Sequence, residues 1–119
     1  MSDNASGGRT GAVLDPLFSL IEERKRLRPA DSYVTSLFEG GHAKISEKVR
    51  EEALELIEAA AEDDRSHTKH EAADLFFHVF VLLAEAGVSL DDVVGELESR
   101  FGISGLEEKA SRGRGDGEN

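Results

Sequence analysis

The 119-residue chain contains no cysteine and no tryptophan, and it has only two prolines and one tyrosine. Without cysteine it can form neither disulfide bonds nor thiolate metal sites, which fits a reducing compartment. No stretch approaches the roughly 20 consecutive apolar residues that a membrane-spanning helix needs. The N-terminal sequence MSDNASGGRTG lacks the basic and then apolar pattern of a secretory signal. We therefore expect a cytoplasmic protein that has no membrane partner.

Basic residues are also in deficit, with 14 Lys and Arg against 25 Asp and Glu and a formal net charge of −11. Surfaces that bind nucleic acid are basic, because they neutralise backbone phosphates. The charge therefore argues against a nucleic-acid partner. It fits high solubility, binding of divalent cations or adaptation to high salt.

Ala, Leu and Glu dominate the middle of the chain, whereas β-branched residues are thin, and this composition predicts an all-α fold. The length suits one domain. We predict an antiparallel bundle of about four to five helices over residues 12–108. The flanking segments, 1–11 and 109–119, are polar and glycine-rich and are predicted to be disordered tails.

Helix caps and apolar spacing divide the predicted domain. Pro29 ends the first helix, and Asp31 or Ser32 caps a short second one. Ser89 and Asp92 cap the last helix. The predicted ranges are 13–28, a short helix that stops at Gly40-Gly41, 43–62, 67–86 closed by Gly87, and 90–101.

The predicted helix at 67–86 contains LFFHVFVLLA, which is apolar almost all the way round, so most of its sides should be buried. It nevertheless carries Glu71, Asp74 and His78. At 100° per residue these three side chains fall within roughly 60° of one another, on one narrow polar stripe.

The preceding helix contains REEALELIE, in which Glu51, Glu52, Glu55 and Glu58 fall within a short stretch. Like charges four residues apart on a helix repel each other. Glu52 lies at the border of the apolar face, so Glu52 and Glu55 can both point toward a helix packed on that border. Glu58, further along, is predicted to be solvated.

Two antiparallel helices joined by a short turn would bring Glu51, Glu52 and Glu55 to face Glu71 and Asp74. Carboxylates that converge beside an apolar core cannot all stay ionised without a partner. The 67–86 helix has no Lys or Arg after position 69, so it offers no counter-charge. Hard divalent cations, above all Mg²⁺, suit carboxylate oxygens. The pattern therefore predicts a metal site.

Each part of the pattern also has a simpler interpretation. An EExxE helix is often an acidic surface in water, although an ExxD within an apolar helix is harder to explain that way. His78 is either a hydrogen-bonded core histidine or a residue that orients Asp74 or donates to a phosphate. Lys48 lies one turn before Glu52 and either meets phosphate oxygens or is a plain surface lysine.

EExxE on one helix followed by ExxD on the next resembles the MazG-like superfamily of all-α nucleotide pyrophosphatases. SYVTSLF (32–38), within the matching stretch DSYVTSLFEGG (31–41), and the histidine of EAADLFFH (71–78) are similar to its phosphoribosyl-ATP pyrophosphatase branch, from histidine biosynthesis. The resemblance covers roughly residues 17–108. One position departs from it, because Arg50 stands where that family usually has glycine before the double glutamate. This arginine either contacts phosphates or is a tolerated surface change.

The resemblance implies hydrolysis of the α–β linkage of phosphoribosyl-ATP, giving phosphoribosyl-AMP and pyrophosphate. No Ser or Cys nucleophile with a base is evident, so water is the expected attacker, activated by bound Mg²⁺ (or Mn²⁺). The implied metal ligands are Glu52, Glu55, Glu71 and Asp74. Glu51 is the candidate that orients or deprotonates the water. The implied substrate-binding residues are Lys48 and His78 at the phosphates, with Ser32 and Tyr33 lining the pocket.

The resemblance also implies a homodimer or a higher homo-oligomer that acts on a small nucleotide. Two alternatives remain open at this point. The first is a house-cleaning pyrophosphatase of the same superfamily that acts on simple nucleoside triphosphates, because the acidic residues contact only metal and phosphates. The second is a non-catalytic acidic helical module that binds a protein or Ca²⁺.

Overall fold

The computed structural model describes residues 4–102, with side chains described from residue 8 onward. Its four helices are α1 (Asn4–Leu27), α2 (Tyr33–Ala61), α3 (Arg65–Ala86) and α4 (Leu90–Phe101). No strand occurs between residues 4 and 102. The all-α prediction is thereby confirmed. The predicted tail at 109–119 lies outside the described residues.

α1 begins at Asn4, earlier than the predicted start at residue 13. The structure therefore has helix from residue 4 where the composition predicts a disordered tail at 1–11. Gly8, Arg9 and Thr10 are exposed, so these three residues give no apolar pattern that would predict a helix. A helix can extend by one hydrogen bond per residue without burying a side chain. Composition therefore did not predict the helical backbone of these residues.

α2 joins the two helices predicted over residues 32–62, with a break at Gly41. The backbone of Gly41 has φ 83° and ψ −177°, a region that is essentially restricted to glycine. Ser32 is the N-cap, and its Oγ accepts a hydrogen bond from the backbone N–H of Thr35 at 3.2 Å. This confirms the predicted cap at Ser32 and the interruption at the double glycine.

Replacing Gly41 with alanine is expected to lower the free energy of unfolding by about 1–3 kcal/mol, because the new residue would keep a glycine-only conformation. A Cβ atom at Gly41 would meet no atom within 4 Å, so the effect is one of backbone strain alone. Urea denaturation measures it. Gly95→Ala is the control, since Gly95 is helical and equally uncrowded; that change should stabilise by about 0.5–1 kcal/mol. Equal stability of Gly41→Ala and the parent would contradict the expectation.

The ends of α3 and α4 follow the predicted caps. Gly87 closes α3 in the left-handed conformation, at φ 79° and ψ 21°. Ser89 and Asp92 form a reciprocal capping box at the start of α4, with distances of 2.9 Å and 3.0 Å. The described residues from 88 to 102 belong to a unit separate from that of the preceding helices. Within it, α4 has no buried residue among those described.

The core of the first unit, residues 1–87, is made by α1, α2 and α3. Phe18 of α1 meets Phe80 of α3 edge to face, with ring centroids 5.4 Å apart. A three-residue connection at 62–64 joins α2 to α3, and so short a link makes packed neighbours antiparallel. The buried apolar side chains are Phe18, Ile21, Val34, Leu37, Phe38, Ile45, Ala59, Phe80, Val81 and Ala84.

No single helix among residues 4–102 is both long enough and apolar enough to cross a membrane; only α3 and α4, taken together as a broken pair, meet both criteria.

Candidate metal and substrate site

Carboxylates from α2 and α3 meet at the interface of these two helices. One oxygen from each of Glu52, Glu55 and Glu71 lies within 4.8 Å of the others. Glu52 and Glu71 are only 7% and 8% exposed, whereas Glu55 is exposed. A second group with the same spacing limit joins Glu71 to Asp74 and His70. The structure thus brings the four predicted metal ligands into two groups that share Glu71.

Two buried oxygens in this cluster lack a partner. Oε1 of Glu52 and Oε1 of Glu71 accept no hydrogen bond from any described residue. Buried polar atoms are normally satisfied, and an ionised carboxylate can only accept. A shared proton or a bound cation would satisfy these oxygens. An all-oxygen set with exposed Glu55 beside it suits Mg²⁺, which binds carboxylates and keeps several waters.

The pKa values show how the metal-free cluster holds protons. Burial, followed by the negative charges of Asp74 and Glu55, raises the pKa of Glu52 to about 7. Hydrogen bonding to Glu71, followed by burial, raises the pKa of Glu55. Burial alone would raise the pKa of Glu71, but hydrogen bonds with Glu55, Glu52 and His67 together lower it. Glu71 is therefore the carboxylate that accepts hydrogen bonds from its neighbours when they are protonated. A divalent cation would displace those protons.

Lys48, Glu51 and Tyr33 lie beside this cluster. Lys48 Nζ is 3.5 Å from Oε1 of Glu51. The ionisable hydroxyl of Tyr33 raises the pKa of Lys48; burial opposes this, and Glu51 adds to it. Lys48 therefore stays positive at neutral pH. Glu51 belongs to neither of the two candidate metal-binding groups, so its carboxylate is not needed to hold an ion in either.

His78 is buried, and both of its ring nitrogens are hydrogen bonded. Nδ1 lies 2.9 Å from the carbonyl oxygen of Asp74, which can only accept, so Nδ1 carries the proton. Nε2 is then the acceptor for the Tyr33 hydroxyl, 2.9 Å away. Burial lowers the pKa of His78, which favours this neutral form. This geometry fits the interpretation of His78 as a hydrogen-bonded core histidine. Its hydrogen bond positions the side chain of Tyr33, which is exposed at the surface.

Ser32 is also engaged within the protein. Besides capping α2, its Oγ accepts a hydrogen bond from Nη1 of Arg24 at 3.1 Å. No pattern in the sequence indicated this contact between Arg24 and Ser32. Glu58 is exposed, as predicted, and Arg50 is exposed as well.

Two histidines at the cluster were missed by the sequence reasoning. Nε2 of His67 lies 3.2 Å from Oε2 of Glu71, and Nε2 of His70 lies 3.4 Å from Oδ2 of Asp74. Both pairs are four residues apart on α3, the spacing that places side chains on one helix face. This spacing is the sequence feature that could have identified the two histidines.

Taken together, fold and site define an all-α protein with a carboxylate cluster between two antiparallel helices, in a donor arrangement suited to a divalent cation. The chain matches the family of phosphoribosyl-ATP pyrophosphohydrolases over residues 14–101. It is 52% identical, over 103 residues, to the phosphoribosyl-ATP pyrophosphatase of Rhizorhabdus wittichii, covering 87% of this chain and 97% of that one. It is 51% identical, over 94 residues, to the Zymomonas mobilis protein of the same name, covering 79% of this chain and 88% of that one.

The chain therefore belongs to the phosphoribosyl-ATP pyrophosphohydrolase family, as the resemblance predicted. It is an enzyme, a hydrolase. This finding rules out the alternative of a non-catalytic binding module.

Proposed function

We propose that the chain hydrolyses phosphoribosyl-ATP to phosphoribosyl-AMP and pyrophosphate in histidine biosynthesis, with Mg²⁺ as its metal. The relatives' shared name supports the substrate. The observation that carries the metal is the pair of buried, unpartnered oxygens on Glu52 and Glu71. Each of these oxygens carries a desolvation penalty that a proton or a cation would offset.

Glu52, Glu55, Glu71 and Asp74 would hold the ion. When bound, Mg²⁺ (or Mn²⁺) neutralises charge on the polyphosphate and lowers the pKa of a coordinated water. The set combines two buried carboxylates with two that reach solvent. That arrangement leaves an open side for substrate phosphates.

The residues beside the metal ligands supply the rest of the chemistry. Glu51 orients the attacking water and accepts its proton, since it is close to the cluster yet outside both ligand groups. Lys48, positive and 3.5 Å from Glu51, binds a phosphate oxygen. Tyr33, held by His78, faces the substrate with its half-exposed ring. Ser32 lies at the adjoining N-terminus of α2 and lines the same pocket.

The test of this function is pyrophosphate release from phosphoribosyl-ATP, measured beside ATP, dCTP and dUTP, with Mg²⁺ and with chelator. We expect turnover of phosphoribosyl-ATP that depends on Mg²⁺ and little turnover of the other three nucleotides. Turnover of the simple triphosphates instead would support the house-cleaning alternative and overturn the pathway assignment. No pyrophosphate release from any of the four nucleotides would overturn both the proposed function and the house-cleaning alternative.

We also propose that the protein is cytoplasmic, as expected from its sequence. We propose in addition that it forms a homodimer or higher oligomer, because large apolar side chains stay exposed in the single chain. α3 is apolar enough to be buried on most sides, yet Phe76 is 54% exposed. On α2, Leu54 is 59% and Ile57 63% exposed. Scattered exposed apolar residues are ordinary, but several on packed helices mark an interface.

Light scattering at micromolar concentration is expected to give at least twice the mass of one chain. Ile57→Glu should lower that mass toward the monomer, because it places a charge among the exposed apolar side chains of α2. Glu58→Gln is the matched control, since it changes an exposed neighbour without adding charge to the apolar patch, and it should leave the mass unchanged. A monomeric parent protein would refute the proposal.

A further inference from the structure

The side chain of Tyr33 is held in place by two aromatic neighbours on α3. Its hydroxyl lies 2.9 Å from Nε2 of His78. Its ring is nearly parallel to that of Phe77, at 21° with centroids 6.1 Å apart, and nearly perpendicular to that of His78, at 89° and 5.9 Å. Phe77 and His78 are themselves edge to face, with centroids 5.1 Å apart. The three rings therefore form one packed cluster, which restricts the motion of Tyr33.

The direction of the hydrogen bond between Tyr33 and His78 is fixed from the other side of the imidazole. Nδ1 of His78 lies 2.9 Å from the carbonyl oxygen of Asp74, and a carbonyl can only accept, so Nδ1 carries the proton of the neutral ring. Nε2 therefore accepts, and Tyr33 donates its single hydroxyl proton to it. Any further hydrogen bond that the phenolic oxygen makes is one that it accepts.

Tyr33 also presents aromatic surface to the solvent. It is 52% exposed, although Phe77 and His78 pack against its ring. An ordered ring with an open face is a surface on which a nucleobase can stack. Ionised phosphate oxygens match neither property of this residue, because they donate no hydrogen bond and have no aromatic face.

We propose that Tyr33 binds the nucleoside part of the substrate, by stacking on its purine and by accepting a hydrogen bond from one of its O–H or N–H groups. His78 is the positioning residue that fixes the direction of the tyrosine hydroxyl. This inference rests on the proposed function, because it takes phosphoribosyl-ATP as the substrate. It assigns separate tasks within one site: the metal ligands and Lys48 engage phosphates, whereas Tyr33 engages the part in which nucleotides differ.

The two reaction products separate the two parts of the substrate. Phosphoribosyl-AMP carries the purine and the ribose hydroxyls, whereas pyrophosphate carries only phosphate. Calorimetric titration of each product into the full-length protein with Mg²⁺ measures both affinities. Tyr33→Ala should weaken phosphoribosyl-AMP binding about tenfold to a hundredfold. Tyr33→Phe, which removes only the hydroxyl, should weaken it about three- to tenfold. Both variants should bind pyrophosphate as the parent protein does.

Tyrosine fluorescence of the parent protein gives a second measurement, because Tyr33 is its only tyrosine and the chain has no tryptophan. Phosphoribosyl-AMP should quench this emission, since its purine stacks on the ring, and pyrophosphate should not. Ser36→Ala is the matched control. Its hydroxyl lies one turn further along α2 and donates to the backbone carbonyl of Tyr33 at 2.6 Å, so its removal should change neither affinity.

His78→Leu tests the role of the imidazole. It should weaken phosphoribosyl-AMP binding, and adding it to Tyr33→Phe should cause no further loss, because His78 acts through the tyrosine hydroxyl. The Mg²⁺ concentration required for pyrophosphate release should stay that of the parent protein. A raised Mg²⁺ requirement would mean that His78 acts through Asp74, whose carbonyl it contacts, and would overturn its role in positioning Tyr33.

Equal losses of affinity for the two products, or unchanged affinities in Tyr33→Ala, would overturn the inference. The proposed function fails separately. A parent protein that binds phosphoribosyl-AMP through Tyr33 but releases no pyrophosphate from phosphoribosyl-ATP would keep this inference and reject the activity. Turnover of phosphoribosyl-ATP together with equal losses for both products would do the opposite.

Discussion

Glu52→Gln is expected to abolish Mg²⁺-dependent pyrophosphate release while making the metal-free protein more stable above pH 7. The first effect follows because the variant loses a ligand whose metal is worth several kcal/mol to the transition state, so turnover should fall at least a hundredfold. The second follows because a neutral amide replaces a buried carboxylate that has no partner for Oε1. The amide can also donate to the unpartnered oxygen of Glu71.

The opposite signs of these two effects distinguish a metal ligand from a structural residue. Turnover at saturating Mg²⁺ and urea unfolding in chelator at pH 8 measure them on the same preparations. Glu58→Gln serves as control, because Glu58 is exposed on the same helix and should change neither quantity. A Glu52→Gln protein that stays active, or that unfolds more easily without metal, would contradict this role.

The metal-free protein is expected to lose stability as the pH rises from about 4.5 to beyond 7. The folded-state pKa of Glu52 is about 7, raised from 4.5 by burial first and then by Asp74 and Glu55. The folded protein therefore binds this proton more tightly than the unfolded chain does. The resulting stabilisation is complete below pH 4.5 and disappears as the pH rises through 7.

Other groups contribute to the same titration with known signs. Glu55, with a raised pKa, acts in the same direction as Glu52. His78 acts in the opposite direction, because burial lowers its pKa and its neutral form stabilises the fold as the pH rises through the ordinary value of 6.5. Since Glu52→Gln retains His78, the contribution of His78 cancels in the difference between parent and variant.

Urea unfolding in chelator across pH 5 to 8 measures this dependence, and the same series in Mg²⁺ tests its cause. Mg²⁺ at 100 times its dissociation constant should add about 2.7 kcal/mol, with the gain growing as the carboxylates deprotonate. The free energy of unfolding of Glu52→Gln should be flatter with pH than that of the parent. Identical slopes for the two proteins would mean that Glu52 does not titrate near neutrality.

The predictable parts of the fold depend on local chemistry. Three helix caps form hydrogen bonds to backbone groups only a few residues away: Ser32, Gly87 and Ser89. Their roles could therefore be predicted from short stretches of sequence. The start of α1 was not predictable in this way, because the sequence of its first turns shows no apolar period and Gly8, Arg9 and Thr10 are exposed. Gly41 lay between these cases: the double glycine indicated a break, but not that α2 continues beyond it.

At the site, the carboxylates of α3 were predictable because Glu71 and Asp74 interrupt an otherwise apolar helix. The partner of His78 was not, because Tyr33 lies 45 positions away and their contact exists only once α2 packs on α3. His70 was missed for another reason. It lies near the start of α3, where the neighbouring residues are also polar, so the sequence pattern did not distinguish it from them.

The most direct measurement is the Mg²⁺ dependence of pyrophosphate release from phosphoribosyl-ATP, compared between the parent protein and Glu71→Gln. Glu71 belongs to both ligand groups, so no other single substitution removes more of the cluster. We expect no release in chelator, saturable release with Mg²⁺ in the parent, and a Mg²⁺ requirement at least about tenfold higher in the variant. Release that persists in chelator, or the same Mg²⁺ requirement in both proteins, would show that these carboxylates do not hold the catalytic metal.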